Sequence, residues 1–214
     1  MSLIKMYCWV DLETPGLDFN KDPIIEVGFG LSDGGFKPVV REEAHLDEPL
    51  FEGSVVKPTP YILTRLEAAA TAVQQMHEGS GLLEALQRAD AGTGFGATIG
   101  DIEDGILRKL TRAEQYLRDE GRVSTGDKVL WKLAGSNVGF DRRMLEVGMP
   151  RLIERLTYNN YDVSTLREHY KDVVGIPHPY ESDGYTHRAQ DDIQDHYREA
   201  RYYRDLSRHD MEPA

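Results

Sequence analysis

Asp11 and Glu13 stand two residues apart at the end of the apolar run Met6 to Glu13, MYCWVDLE. A run this rich in aromatic and β-branched residues predicts a strand, and in a strand residues two apart point to the same face. Two carboxylates would then project together from an otherwise apolar element. Burying like charges side by side is costly unless a cation neutralises them, and hard ions such as Mg2+ and Mn2+ suit oxygen donors. Two solvated acids at a strand end fit the same pattern, so this pair alone does not decide. Asp141 follows the small-residue turn in Gly135 to Arg143, GSNVGFDRR. It could be a metal ligand, or simply an acid favoured at the positive end of a helix. His187 stands five residues before Asp192, at the entry to a predicted helix. A histidine there can accept a proton from an attacking water near neutral pH, although an ordinary solvated helix start reads the same.

The elements that must carry these residues alternate along the chain. A second strand is predicted over Ile24 to Leu31, a hairpin turn over Ser32 to Gly35, and a third strand between Phe36 and Val40. Arg41 to Pro60 is acidic, contains proline and gives no clear assignment. A helix is expected from about Thr64 to Met76 and another after Gly81. Ala91 to Gly100, AGTGFGATIG, superficially resembles a dinucleotide-binding loop. That motif needs a preceding buried strand, whereas Leu82 to Asp90 reads as helix, so a surface loop is expected. Ile102 to Glu120 predicts an amphipathic helix stopped by Gly121, and Lys128 to Ala134 a further strand. Short helices are predicted over Asp141 to Val147 and Ser164 to Tyr170, and a long last helix with its lead-in over His187 to Asp205. This alternation predicts an α/β domain with a mixed sheet.

The 214 residues suit one domain, 40% of them hydrophobic and 29% charged, with a net charge of −12. The chain has no apolar run of the roughly 18 residues that span a bilayer, and its start lacks the marks of a secretory signal. A single cysteine, Cys8, excludes an internal disulfide framework and fits a reducing, cytoplasmic setting. Cys8 itself reads as a small buried hydrophobe. A protein gripping long nucleic acid normally carries a basic excess. The acidic balance therefore implies either another substrate or a short nucleic acid held locally.

Together the three motifs form an ordered set: Asp-x-Glu on a first strand, an Asp after a mid-chain strand, and His-x4-Asp before a last helix. That set resembles the DEDDh family of 3′→5′ exonucleases, whose fold is ribonuclease H-like. The resemblance narrows to oligoribonucleases on several further blocks. They are Trp9 to Glu13 with Gly16-Leu17-Asp18 and Asp22-x-Ile24-Ile25-Glu26, and Met76-His77-x-x-Ser80-Gly81-Leu82. Asp141-Arg142-Arg143 with Met149-Pro150, Tyr161 to Leu166, and His187-Arg188-Ala189-x-Asp191-Asp192-Ile193 with Tyr202-Tyr203-Arg204 complete the series. The blocks run from Trp9 to about Arg204.

This resemblance implies that Asp11, Glu13, Asp141 and Asp192 bind two divalent ions, Mg2+ or Mn2+, with His187 taking the proton of the attacking water. It implies short single-stranded RNA as substrate and 5′-mononucleotides as product. It places Leu12, Leu17, His77, Ser80, Asn137, Tyr158 and Ser164 at the substrate. Leu17 would wedge between two bases, and Tyr158 would reach across a homodimer interface. The resemblance also implies that residues 1–214 form a single exonuclease domain, with a loop insertion near 91–104. Three positions depart from the family pattern. Ala72 replaces a base-stacking aromatic, Asn137 a serine and Asn159 an arginine. Asparagine brings no charge to a phosphate, while Ser164 and Thr165 keep hydroxyl donors. A looser preference for dinucleotides is the expectation.

Other readings of the same residues are a related DEDDh exonuclease acting on single-stranded DNA or structured RNA ends, and an inactive nuclease fold serving as a nucleic-acid-binding module. A glycosidase could use Asp11 and Glu13 as its carboxylate pair but would leave His187 and Asp192 without a role.

Overall fold

The predicted first strand becomes the middle of a five-stranded mixed sheet. In the computed structural model, residues 2–43, 45–176, 180–182, 184 and 186–209 are described, the side chains of 208 and 209 aside. Strand β1 (Leu3–Glu13) starts three residues earlier than predicted. It pairs antiparallel with β2 (Glu26–Asp33) and parallel with β4 (Lys128–Gly135). Strands β3 (Glu52–Val55) and β5 (Tyr161–Asp162) complete the order β3-β2-β1-β4-β5. Cys8, Trp9 and Val10 are fully buried, as expected where helices cover both faces of a sheet.

Alternation along β1 separates two cores. Met6, Cys8, Val10 and Leu12 face one side and pack with Leu110, Leu117, Leu145 and Leu152. Tyr7 and Trp9 face the other side and join Phe36, Phe51, Ile193 and Tyr197. Trp9 meets Tyr197 edge-on, with ring centroids 5.4 Å apart. Asp11 and Glu13 continue the second face, the one covered by the last helix, α8 (Ala189–His209). That helix begins hard against β2. A Cβ on Gly28 would lie 2.0 Å from the Ala189 carbonyl oxygen, so the seat requires glycine.

The other helices are α1 (Pro60–Glu67), α2 (Thr71–Gly79), α3 (Leu82–Asp90), α4 (Ile99–Asp119), α5 (Val138–Gly148), α6 (Pro150–Arg155) and α7 (Val163–Glu168). A π-helical turn over His169–Val174 extends α7. Thr59 caps α1 by accepting from Ile62 N, and Thr98 caps α4 by accepting from Asp101 N. Gly121, at φ 67°, ends α4 where the sequence predicted.

Three predicted elements differ. The helix expected over Thr64 to Met76 is two helices broken at Ala68 to Ala70. The Gln74 side-chain amide donates to the Leu66 and Glu67 carbonyls, satisfying the end of α1 that the break exposes. The third strand expected at Phe36 to Val40 is absent. Phe36 takes a left-handed φ of 60°, and only an isolated bridge, Ser32 to Pro38, forms there. The third strand lies instead at Glu52–Val55, inside the stretch that gave no assignment. In the segment 91–104, only 91–98 is loop, and 99–104 open α4. That loop follows a helix, which removes the dinucleotide-binding reading, and it is tied down by Lys57 N donating to Ala97 O at 2.7 Å.

Candidate active site

Four acids remote in sequence reach one end of the sheet by three routes. Asp11 and Glu13 leave β1 on the α8 side, in register with Gly28 and Glu26 of β2. Asp141 comes from the first turn of α5, directly after β4, and Asp192 from the first turn of α8. Glu13, Asp141 and Asp192 are all buried. His187 enters just before α8 with φ 55°, and ligand-capable atoms of Glu13, His187 and Asp192 all lie within 4.8 Å of one another.

The electrostatics follow from this convergence. Burial, then the charges of Asp141, Glu13, Asp192 and Glu26, hold the Asp11 carboxyl well above the carboxylate range. Glu13 is pushed up to about 8 by burial and by Asp192 and Glu26, against a smaller opposing effect of Arg188. Burial pushes Asp141 up to about 8 as well, although its own backbone and that of Leu12 hydrogen-bond to it. Burial also raises Asp192, opposed by the Thr186 amide, which donates to Asp192 Oδ1 at 3.0 Å, and by the His187 charge. A set of carboxylates that burial and mutual repulsion keep from ionising is one that bound cations would relieve. Oxygen donors beside one imidazole match the preferences of Mg2+ and Mn2+, so the residues fit the divalent ions that the resemblance implies.

The remaining predicted residues divide. Leu17, on the β1–β2 loop, is 81% exposed, and Tyr158, between α6 and β5, is 86% exposed. Asn137 and Ser164 converge on Asp162. One oxygen of Asp162 accepts from Asn137 N at 3.1 Å, Ser164 N at 3.0 Å and Ser164 Oγ at 2.6 Å. The Ser164 hydroxyl is thus already engaged. Ser80 caps α2, donating to the His77 carbonyl and accepting from Leu82 N.

Two of the residues expected at the substrate have buried side chains. Leu12 turns its side chain into the core opposite the acids, because neighbours in a strand point to opposite faces; only its backbone borders the site. His77 is fully buried. Its Nε2 lies 3.0 Å from the Thr14 carbonyl oxygen and its Nδ1 3.7 Å from Glu13 Oε2. It therefore lies against Glu13, and burial holds it below the ordinary histidine range.

His196, which the motif reading passed over, also reaches the cluster. It lies one turn after Asp192 on the same face of α8, and burial lowers it to about 4. Its i+4 spacing from Asp192 was the available signal. A cavity of about 510 Å³ lined by Phe19, Ile24, Tyr61, Ile62 and Ile99 includes none of the four acids among its lining residues.

No family model matches the chain. It is 31% identical over 205 residues to an oligoribonuclease of Cutibacterium acnes, spanning 94% of this chain and 85% of that one. It is 32% identical over 201 residues to an oligoribonuclease of Dichelobacter nodosus, spanning 92% and 91%. Among solved structures it resembles an exonuclease I from Methylocaldum szegediense, with a TM-score of 0.58 and 16% identity over 94% of this chain and 40% of that longer one. A likeness at that identity speaks for the fold alone, and the fold is ribonuclease H-like.

Proposed function

This chain belongs to the oligoribonuclease family of 3′→5′ exoribonucleases, and from that premise we propose that it trims short single-stranded RNA to 5′-mononucleotides at the Asp11, Glu13, Asp141 and Asp192 cluster. One observation carries this reading. Four acids separated by up to most of the chain meet at a single sheet end, with His187 beside two of them. The four acids would hold two divalent cations, Mg2+ or Mn2+. When bound, such ions supply the positive charge that acidifies a water and stabilises the departing 3′ oxygen.

The chain's own residues account for the rest. His187, within reach of both Glu13 and Asp192, would accept the proton of the attacking water. The Thr186 amide holds Asp192 in place. Leu17 projects from its loop, where it can wedge between two bases. The working form in this reading is a homodimer, in which Tyr158, exposed in the single chain, would reach the site of the second copy. Loss of a hydroxyl at Asn137, of a charge at Asn159 and of an aromatic at Ala72 loosens the preference for dinucleotides. The net charge of −12 favours short substrates held by local contacts. No helix among the described residues is long and apolar enough to cross a membrane, and the cytoplasm is the proposed site of action.

The test is a time course on 5′-labelled RNAs of two to seven nucleotides with Mg2+ or Mn2+, beside matched DNA dinucleotides. Stepwise shortening from the 3′ end that needs the cation and is lost in Asp192→Ala is expected. A parent protein without metal-dependent cleavage is a binding module instead. Selectivity for dinucleotides over five-mers as strong as in other oligoribonucleases refutes the loosened preference, and faster cleavage of DNA refutes the RNA assignment.

A further inference from the structure

We propose that Glu26 is a positioning residue for His187, acting through a clasp on Arg188 and on the first turn of α8. This inference rests on the reading of His187 as the proton acceptor. Glu26 is 1% exposed and lies opposite Glu13 in the β1–β2 register. This third acid on the patch of sheet adds to the repulsion on Asp11 and Glu13, while its own oxygens are turned to other partners. Glu26 Oε1 accepts from Arg188 Nε at 3.0 Å and Nη2 at 2.6 Å, and Oε2 accepts from Arg188 Nε at 3.2 Å and the Ala189 amide at 3.0 Å. One carboxylate thus engages a guanidinium fork and one of the otherwise unpaired amides at the start of a helix. Two residues along β2, Gly28 leaves the space in which Ala189 sits.

His187 immediately precedes this clasp and has φ 55°, a left-handed conformation that a non-glycine residue keeps only where its surroundings impose it. They impose it from both sides. Arg188 and Ala189 are fixed by Glu26, and Thr186 is fixed by its amide bond to Asp192 Oδ1. The residue between has little freedom left, and its imidazole is directed to Glu13 and Asp192. A carboxylate on the neighbouring strand therefore sets the aim of a histidine 161 positions later in the chain.

The experiment is a double-mutant cycle of Glu26→Gln and His187→Ala, measured on a 5′-labelled RNA dinucleotide with Mn2+, with kcat and KM separated. Amide hydrogen exchange at Ala189 in the metal-free proteins is the second readout. Glutamine keeps the shape but cannot accept from all three donors. In the parent background, Glu26→Gln should lower kcat by about 10- to 100-fold, the range for residues that orient an active-site group, with KM nearly unchanged. In the His187→Ala background it should lower kcat by less than about twofold, because the group it aims is gone. The Ala189 amide should exchange faster in Glu26→Gln. Equal losses in both backgrounds would show that Glu26 acts on the fold or the ions, and would overturn the proposal. So would unchanged protection of Ala189. If Glu26→Gln folds poorly, Arg188→Lys, which keeps the charge and loses the fork, takes its place in the same cycle. An inactive parent refutes the proposed function instead, and exchange at Ala189 then decides the clasp.

Discussion

His196 Nδ1 stands 3.8 Å from Oδ1 of Asp11, joining α8 to β1 behind the acid cluster. Asp195, Arg167 and Asp162 also act on this imidazole, and burial holds it neutral down to about pH 4. A buried base held below its ordinary value of 6.5 contributes stability above pH 6.5 that is lost as pH falls toward 4. The difference corresponds to an upper bound of about 3 kcal/mol. In urea unfolding, the stability of the parent relative to His196→Gln should therefore fall between pH 6.5 and pH 4. Parallel curves for the two proteins would contradict the neutral, buried state.

The acids act with the opposite sign, over a window that runs from their ordinary values up to about 8. Glu13 and Asp141 are raised from 4.5 and 3.8 to about 8, so their contribution is present at low pH and is lost as pH rises through that value. Above pH 6.5 His196 no longer titrates in either state, while the raised acids still do. The melting temperature of the metal-free protein should fall by several degrees from pH 6.5 to pH 8.5. Millimolar Mn2+ should restore it more at pH 8.5 than at pH 6.5, since ions that bind only the folded state stabilise it by mass action. A flat metal-free profile would argue that the carboxylates are not held together.

Asp141→Asn removes one repelling charge from a buried set. Metal-free melting at pH 8.5 should rise, while cleavage should fall more than about 100-fold, beyond the loss typical of residues that only support a metal ligand. A variant that melts lower without metal would place the cost of Asp141 elsewhere than in mutual repulsion.

Leu17 is 81% exposed, so Leu17→Ala should leave the melting temperature unchanged. The KM for a dinucleotide should rise about tenfold, the equivalent of losing one apolar contact. An unchanged KM would remove Leu17 from the substrate.

Tyr158, 86% exposed, supports a complementation test. Tyr158→Ala keeps its acids and Asp192→Asn keeps its tyrosine. Remixing the two weak proteins should regenerate about a quarter of the parent activity, because half the random dimers hold one intact site. No gain on remixing would mean that each chain completes its own site.

The local pattern of the chain was enough to determine a good deal. The shared face of Asp11 and Glu13, the entry of Asp141 after β4, and the His187 to Asp192 lead-in to α8 follow from period-two alternation, turn residues and helix starts, all short-range properties. The same pattern placed β1, β4, α4 and α8 to within a few residues. What it could not contain was the set of long-range contacts. The register of β1 on β2 puts Glu26 against Glu13, and the Glu26–Arg188 clasp joins residues 162 apart. The fold also decided that α8, rather than α5, covers the Trp9 face, which brings His196 to Asp11 and sends Leu12 into the opposite core. It buried His77 against Glu13, a neighbour that the motif alone does not reveal. It also moved the third strand to Glu52–Val55, because a strand forms where a partner edge is free, and Phe36 turns the chain away from that edge. Residue type and spacing state which groups are available for chemistry, whereas packing of remote segments decides what each group faces, and that depends on free energies summed over the whole core rather than over any one window of sequence.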